Sequence, residues 1–188
     1  EISPLDSAVV TVGSFHAGAK HNIIPDEARL QLTVRSYTDE VRNHLLDGIA
    51  RVAKGEAIAA GLPDDKLPVV SVEKDEFTPS TFNTPDFTED MAAFLTTRFG
   101  DKRVIKMPPV MGGEDFSQFR RAAPEDIKSM IFWISGTPQP MLDALKNDGT
   151  SLPSLHSPYW APDAEKVIAT GAEALASSAI DLMPRTGS

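Results

Sequence analysis

The side chains best suited to chemistry fall in three places along the 188 residues. His156 lies in Leu155-His156-Ser157-Pro158-Tyr159-Trp160, a loop bounded by prolines and flanked by aromatic rings. Neutral imidazole is the commonest nitrogen ligand for zinc and similar ions, and a loop braced by prolines holds it with little entropy left to lose. On spacing alone, a structural role for this histidine is the simpler reading. Met111-Gly112-Gly113-Glu114-Asp115-Phe116 places two glycines before adjacent carboxylates at an expected helix start. Glycines let backbone N–H groups approach a ligand, and acids there complement the positive end of a helix dipole; on these residues alone a plain turn followed by ordinary N-terminal acids is the simpler reading. Asn22 and Arg35 form the third set. An arginine fork clamps a carboxylate through charge-assisted bonds of about 1.5–3 kcal/mol, and an amide adds a further donor. Arginine at a strand end is also common without any such role. His44, beside Leu45 and Leu46 in a helical stretch, reads as a surface residue.

The elements that must position these groups follow from periodicity. Ala8 to Phe15 is rich in β-branched residues and breaks at Ala17-Gly18, and Ala28 to Val34 alternates apolar and polar positions, so both predict strands. The intervening His21-Asn22-Ile23-Ile24-Pro25-Asp26 is too long for a two-residue hairpin and leaves polar groups at a strand edge. Thr38 and Asp39 offer an N-cap, and Val41, Leu45, Ile49 and Val52 recur at helical spacing until Gly61-Leu62-Pro63. Val69 to Phe77 predicts another strand. Strand, strand, helix, strand suits an antiparallel sheet covered on one face. A four-stranded, two-helix version needs one more strand and helix, and the opening at Glu1, without a Met, reads as a cut inside a longer polypeptide.

Pro79 to Pro85 has the composition of a crossing segment, which places a domain boundary between residues 1–79 and 80–188. Beyond it, Asp86 to Phe99 predicts a helix, Arg103 to Lys106 a short strand, Glu114 to Arg121 a short helix, and Ser129 to Ile134 a strand buried on both faces. Pro162 to Met183 predicts a helix with Val167, Ile168, Gly171, Ala172, Leu175 and Ala179 on one stripe, suited to packing on a sheet. The fold class expected is α/β, or more loosely α+β.

Composition narrows the function. Apolar residues make up 41% and charged residues 24%, the usage of an ordinary globular protein. With 18 Lys and Arg against 27 Asp and Glu, the formal charge of -9 repels phosphate backbones and anionic lipid heads, so neither nucleic acid nor membrane is an expected partner. Without cysteine there is no disulfide and no thiolate site, and any metal must use His and carboxylates. Localisation stays open between bacterial cytoplasm and periplasm.

Taken in order, Val9-Val10-Thr11-Val12-Gly13, His21-Asn22-Ile23-Ile24-Pro25-Asp26-Glu27-Ala28 and Leu32-Thr33-Val34-Arg35 resemble the lid and dimerisation domain of the hippurate hydrolase and aminoacylase family, of the peptidase M20 type. Met111-Gly112-Gly113-Glu114-Asp115-Phe116-Ser117 and Leu155-His156-Ser157-Pro158 resemble two signatures of its catalytic domain. The resemblance implies a partial ferredoxin-like lid followed by the C-terminal part of an α/β catalytic domain. It implies a hydrolase with two divalent metal ions, zinc or manganese, that cleaves the amide bond of N-acyl amino acids or similar conjugates and forms a homodimer through its lid. His156 falls on the family's last metal ligand, Asn22 and Arg35 on residues that grip the substrate carboxylate, and Gly112 and Gly113 beside the substrate pocket. The general-base glutamate and most metal ligands have no counterpart here, so this chain alone is expected to be inactive. A dipeptidase or carboxypeptidase of the same family, or a non-catalytic dimerisation module, are the alternatives.

Overall fold

The computed structural model describes residues 2–73 and 77–183. It is a mixed α/β chain with one two-stranded antiparallel sheet and five α-helices among those residues. Two compact units share the contacts: one of Glu1–Phe82 with Pro108–Ser129, the other of Asn83–Met107 with Met130–Ser188.

In the first unit, β1 (Ala8–Ala17) pairs antiparallel with β2 (Ala28–Ser36). Val10 faces Val34 and Val12 faces Leu32, after which the register slips by one residue between Val12 and Ser14, so that Phe15 faces Leu30 and Ala17 faces Ala28. Strand side chains alternate with period two, and one inserted residue reverses the phase of everything after it. The bulge at Gly13 therefore keeps Ala8, Val10, Val12, Phe15 and Ala17 on the same face as Ala28, Leu30, Leu32 and Val34. The opposite face carries Thr11, Ser14, His16, Arg29, Gln31, Thr33 and Arg35. Val10, Val12, Phe15, Leu30 and Leu32 remain 40–63% exposed, so the apolar face is only partly covered.

Helix α1 (Asp39–Ala59) packs against both strands. Of the two cap candidates Thr38 takes the role, its hydroxyl accepting from Val41 N–H at 3.2 Å, and Asp39 becomes the first residue of the helix. Its inward stripe steps by four through Val41, Leu45, Ile49, Ala53 and the buried Ala57. Val52, expected on that stripe, is 54% exposed because a fourfold step carries the stripe to Ala53. The strand expected over Val69 to Phe77 does not form at 69–73, where Val69 is 94% exposed and no neighbour offers a ladder among the described residues; residues 74–76 lie outside them. Helix α3 (Ser117–Ala122) also belongs to this unit.

The second unit holds α2 (Pro85–Phe99), α4 (Gln139–Asp148) and α5 (Ala164–Leu182), with α2 packed on α5. Met91 and Leu95 of α2 and Ala174 of α5 are buried, and Arg98 Nη2 pairs with Glu173 at 2.8 Å. The stripe predicted on α5 divides. Val167 and Gly171 lie on the side of Ala174, whereas Ile168 and Leu175 face outward. Arg103 to Lys106 and Ser129 to Ile134 form no strand, since β pairing needs a neighbouring ladder and none exists there among the described residues. Ile131 instead takes both backbone bonds from one side chain, donating to Asn83 Oδ1 at 2.8 Å and accepting from Asn83 Nδ2 at 2.9 Å. Nor is the segment buried on both faces, for Trp133 is 63% exposed. Helix α4 was not foreseen, although Pro138 and Pro140 at its start and Gly149 in the left-handed region at its end are strong boundary signals.

Asp163 caps α5, accepting from Lys166 N–H at 3.4 Å and from Lys166 Nζ at 2.7 Å. These bonds hold the Asp163 carboxyl below the ordinary carboxylate range and raise the Lys166 ammonium above the ordinary lysine range. A lowered acid stabilises above its unfolded pKa and loses that contribution as pH falls through the folded one; a raised base loses its contribution as pH rises through its folded value. Asp163→Asn keeps a capping oxygen and removes the charge. Thermal melts over a pH series should show wild type ahead of this variant near neutrality, with the gap narrowing at both the acid and the alkaline end; a constant gap would show that the ion pair contributes nothing.

Candidate functional site

Arg35, near the end of β2 and opposite Val9, is the best-placed of the expected site residues. Its Nη1 donates to the carbonyl of Met111 at 2.6 Å, a contact spanning 76 residues of chain. Met111 immediately precedes Gly112 and Gly113, so the fold brings the arginine to the glycine turn. Three further contacts pin that turn. Gly113 forms an antiparallel bridge with Ser80. Ser117, buried at the start of α3, donates to Glu114 O at 2.6 Å and to Pro79 O at 3.3 Å. Pro79 is fully buried.

The two glycines differ. A Cβ on Gly113 would stand 3.3 Å from Thr78 O and 3.4 Å from Pro79 O, whereas one on Gly112 would meet only Val110 Cγ2, at 3.9 Å. A side chain at 113 would crowd two backbone carbonyls by a few tenths of an ångström, whereas one at 112 would make a single ordinary contact. Glu114 and Asp115 are exposed and lie in the turn before α3, which begins at Ser117 and is six residues long. The expected acids in a helical first turn are therefore absent from it.

Asn22 is exposed in the turn closed by Ile23 N–H to Lys20 O at 3.3 Å, beyond Gly18, whose φ of 75° turns the chain out of β1. It sits at the end of the ribbon opposite to Arg35. Seven residues separate Ala28 from Arg35, about 23 Å of strand. One copy of the chain does not bring Asn22 and Arg35 to a single small anion.

In the second unit, His156 is exposed within two consecutive turns, closed by Ser157 N–H to Ser154 O at 2.9 Å and Trp160 N–H to Ser157 O at 3.1 Å. The far end of its loop is anchored where Asp163 N–H donates to Gly136 O at 2.9 Å. A Cβ on Gly136 would come within 3.1 Å of Pro162 and 3.2 Å of the Trp160 ring. Among the described residues, no three His, Cys, Asp or Glu side chains gather closely enough to hold an ion. His156 alone does not fit a catalytic zinc, which takes three protein ligands. No helix among the described residues is long and apolar enough to cross a membrane.

Sequence reasoning passed over Arg120 and Arg121, adjacent on α3. Arg121 reaches Asp39 at the start of α1 with both nitrogens, at 2.6 and 3.2 Å, and Arg120 lies 4.4 Å from the centre of the Phe82 ring. Two consecutive arginines, a little over one helical turn beyond the glycine and acid motif, were the available signal.

Residues 5–60 match the peptidase dimerisation domain, which covers β1, β2 and α1. Similar curated proteins include thermostable carboxypeptidase 1 of Saccharolobus solfataricus, 32% identical over 66% of this chain and 30% of that protein. N-acetyldiaminopimelate deacetylase of Shouchella clausii is 33% identical over 71% of the chain and 33% of its own length. The deacetylase of the same name from Streptococcus sanguinis is 29% identical over 86% and 37%. The chain belongs to the M20 family of amidohydrolases and peptidases. It spans about a third of the length of these relatives.

The contrast between the glycines is directly testable. Gly113→Ala should destabilise the chain by about 1–3 kcal/mol through backbone crowding, and Gly112→Ala should stay within about 1 kcal/mol of wild type, both read from urea unfolding. Equal losses would show that the turn is not packed as described.

Proposed function

We propose that this chain works within a metal-dependent amidohydrolase of the M20 family that cleaves the amide bond of N-acyl amino acids or similar small conjugates. The observation that carries the reading is Arg35: a guanidinium with no acidic partner among the described residues, held by one N–H against the Met111-Gly112-Gly113 turn. Guanidinium has five N–H donors, so one bond to a carbonyl leaves others for a substrate carboxylate. The relatives named as deacetylases and carboxypeptidases support the same class of bond cleavage. The carboxypeptidase names also favour a second reading, a peptidase with the same chemistry and a different pocket.

His156 supplies one ligand to a centre of two divalent ions, zinc or manganese, whose other ligands and general base belong to polypeptide outside these residues. Such a centre would polarise the scissile carbonyl and lower the pKa of a bound water. Asn22 and Arg35, at opposite ends of one ribbon, serve one substrate when they come from different copies, so the protein acts as a homodimer through its dimerisation domain. The partly covered apolar face, and the outer edges of β1 and β2, which pair with no other strand among the described residues, suit such pairing.

In the longer enzyme, Arg35→Ala should raise KM for an N-acetyl amino acid by roughly tenfold to a hundredfold, the loss of one charge-assisted bond, with kcat less affected. The 188-residue chain alone should show no turnover with added zinc or manganese. Comparing N-acetyl amino acids with dipeptides separates the two pocket readings. An unchanged KM in Arg35→Ala removes the clamp, and chelator-sensitive hydrolysis by the chain alone removes the shared-site account.

A further inference from the structure

A second cationic feature lies in the first unit, in a cleft of about 210 Å³ lined by Tyr37, Thr38, Asp39, Ser80, Phe82, Ser117, Arg120 and Arg121. Its charges are unequal. Asp39 and Arg121 neutralise each other through their two-pronged pair. Arg120 has no acid and no hydrogen-bond acceptor among the described residues. It is held instead by the Phe82 ring, and its Nε is sealed from water without a partner. A guanidinium stacked on an aromatic face keeps its edge for planar recognition of an oxyanion. The first N–H groups of α1, at Asp39 and Glu40, take no partner among the described residues, while the Glu40 carboxylate at the same helix end offsets the field they provide. The cleft is smaller than the 300–1,000 Å³ or so typical of drug-sized ligands, which limits the occupant to a small group.

From these observations we propose that the cleft between the start of α1 and α3 binds a small oxyanion, a carboxylate or phosphate group, on Arg120. This site is separate from the Arg35 clamp and does not depend on the amidohydrolase reading. Filling it would tie the glycine turn's own helix to the first turn of α1 through the ligand as well as through Arg121 and Asp39.

The test titrates the 188-residue chain at low ionic strength with inorganic phosphate and, separately, with acetate, following the Asp39 and Glu40 amide resonances. Saturable shifts with either anion support the site, and the anion that saturates first identifies its chemistry. Arg120→Gln should weaken binding by roughly tenfold or more, the worth of one charge-assisted bond. Arg98→Gln, in the second unit and paired with Glu173, should leave it unchanged. If far-UV circular dichroism shows Arg120→Gln unfolded, Arg120→Lys replaces it; that variant keeps the charge, lacks the fork, and should bind several-fold more weakly. Absence of saturation with both anions overturns the proposal. So does an equal loss in the Arg120 and Arg98 variants, which would mark a general charge effect.

Discussion

The first unit depends on a backbone stitch at Pro79-Ser80. Residues 108–129 are far from 1–82 in sequence and join them because Ser80 bridges Gly113, Ser117 donates to the buried Pro79 carbonyl, and Arg35 donates to Met111. Each contact uses backbone polar groups that would otherwise need water, and each needs close approach. That is why a glycine stands at 113 and a small hydroxyl at 117. A side chain at 113 would press on two carbonyls at once. Everything proposed for Arg35 and Arg120 follows from this stitch, because it sets β2 beside the glycine turn and α3 beside the start of α1.

The ribbon obeys an equally tight constraint. Two strands with one apolar face tolerate no uncompensated slip, and the bulge at Gly13 lets β1 keep Phe15 and Ala17 on the apolar side while β2 alternates without interruption. The same alternation puts Arg35 on the polar face. Its position is therefore a consequence of the hydrophobic pattern of Leu30, Leu32 and Val34 rather than of any local preference of arginine.

Local patterns were legible where the residues concerned satisfy one another. The strands at Ala8 and Ala28, the Thr38 cap, the helix after Pro85 and the terminal helix can all be read from alternation, capping and period. The strands at Val69, Arg103 and Ser129 could not, because apolar β-branched runs predict only a capacity to pair; a ladder requires a neighbour, and Ile131 finds a side-chain amide in its place. Helix α4 was overlooked for the reverse reason: its boundaries are marked by two prolines and a glycine, but its ten residues carry a short apolar pattern. Arg35 and the two glycines could be singled out as candidates from their motifs. The joining of Arg35 to Met111, and the arginine pair on α3, depend on long-range packing that no spacing encodes.

Charge gives the last link. In a chain with 27 acidic and 18 basic side chains, an arginine without an acid is not explained by scarcity of carboxylates. Arg98, Arg121 and Lys166 each find one. Arg35 and Arg120 are held instead by a carbonyl and by an aromatic ring, partners that fix a guanidinium in place and leave its full charge standing. An acid placed beside either would have stabilised the free protein and cancelled its attraction for an anion. Arg42 and Arg103 are held the same way, against the Phe77 and Phe99 rings, so an arginine without an acid does not by itself mark an anion site; what distinguishes Arg35 and Arg120 is the glycine turn beside the one and the cleft beside the other.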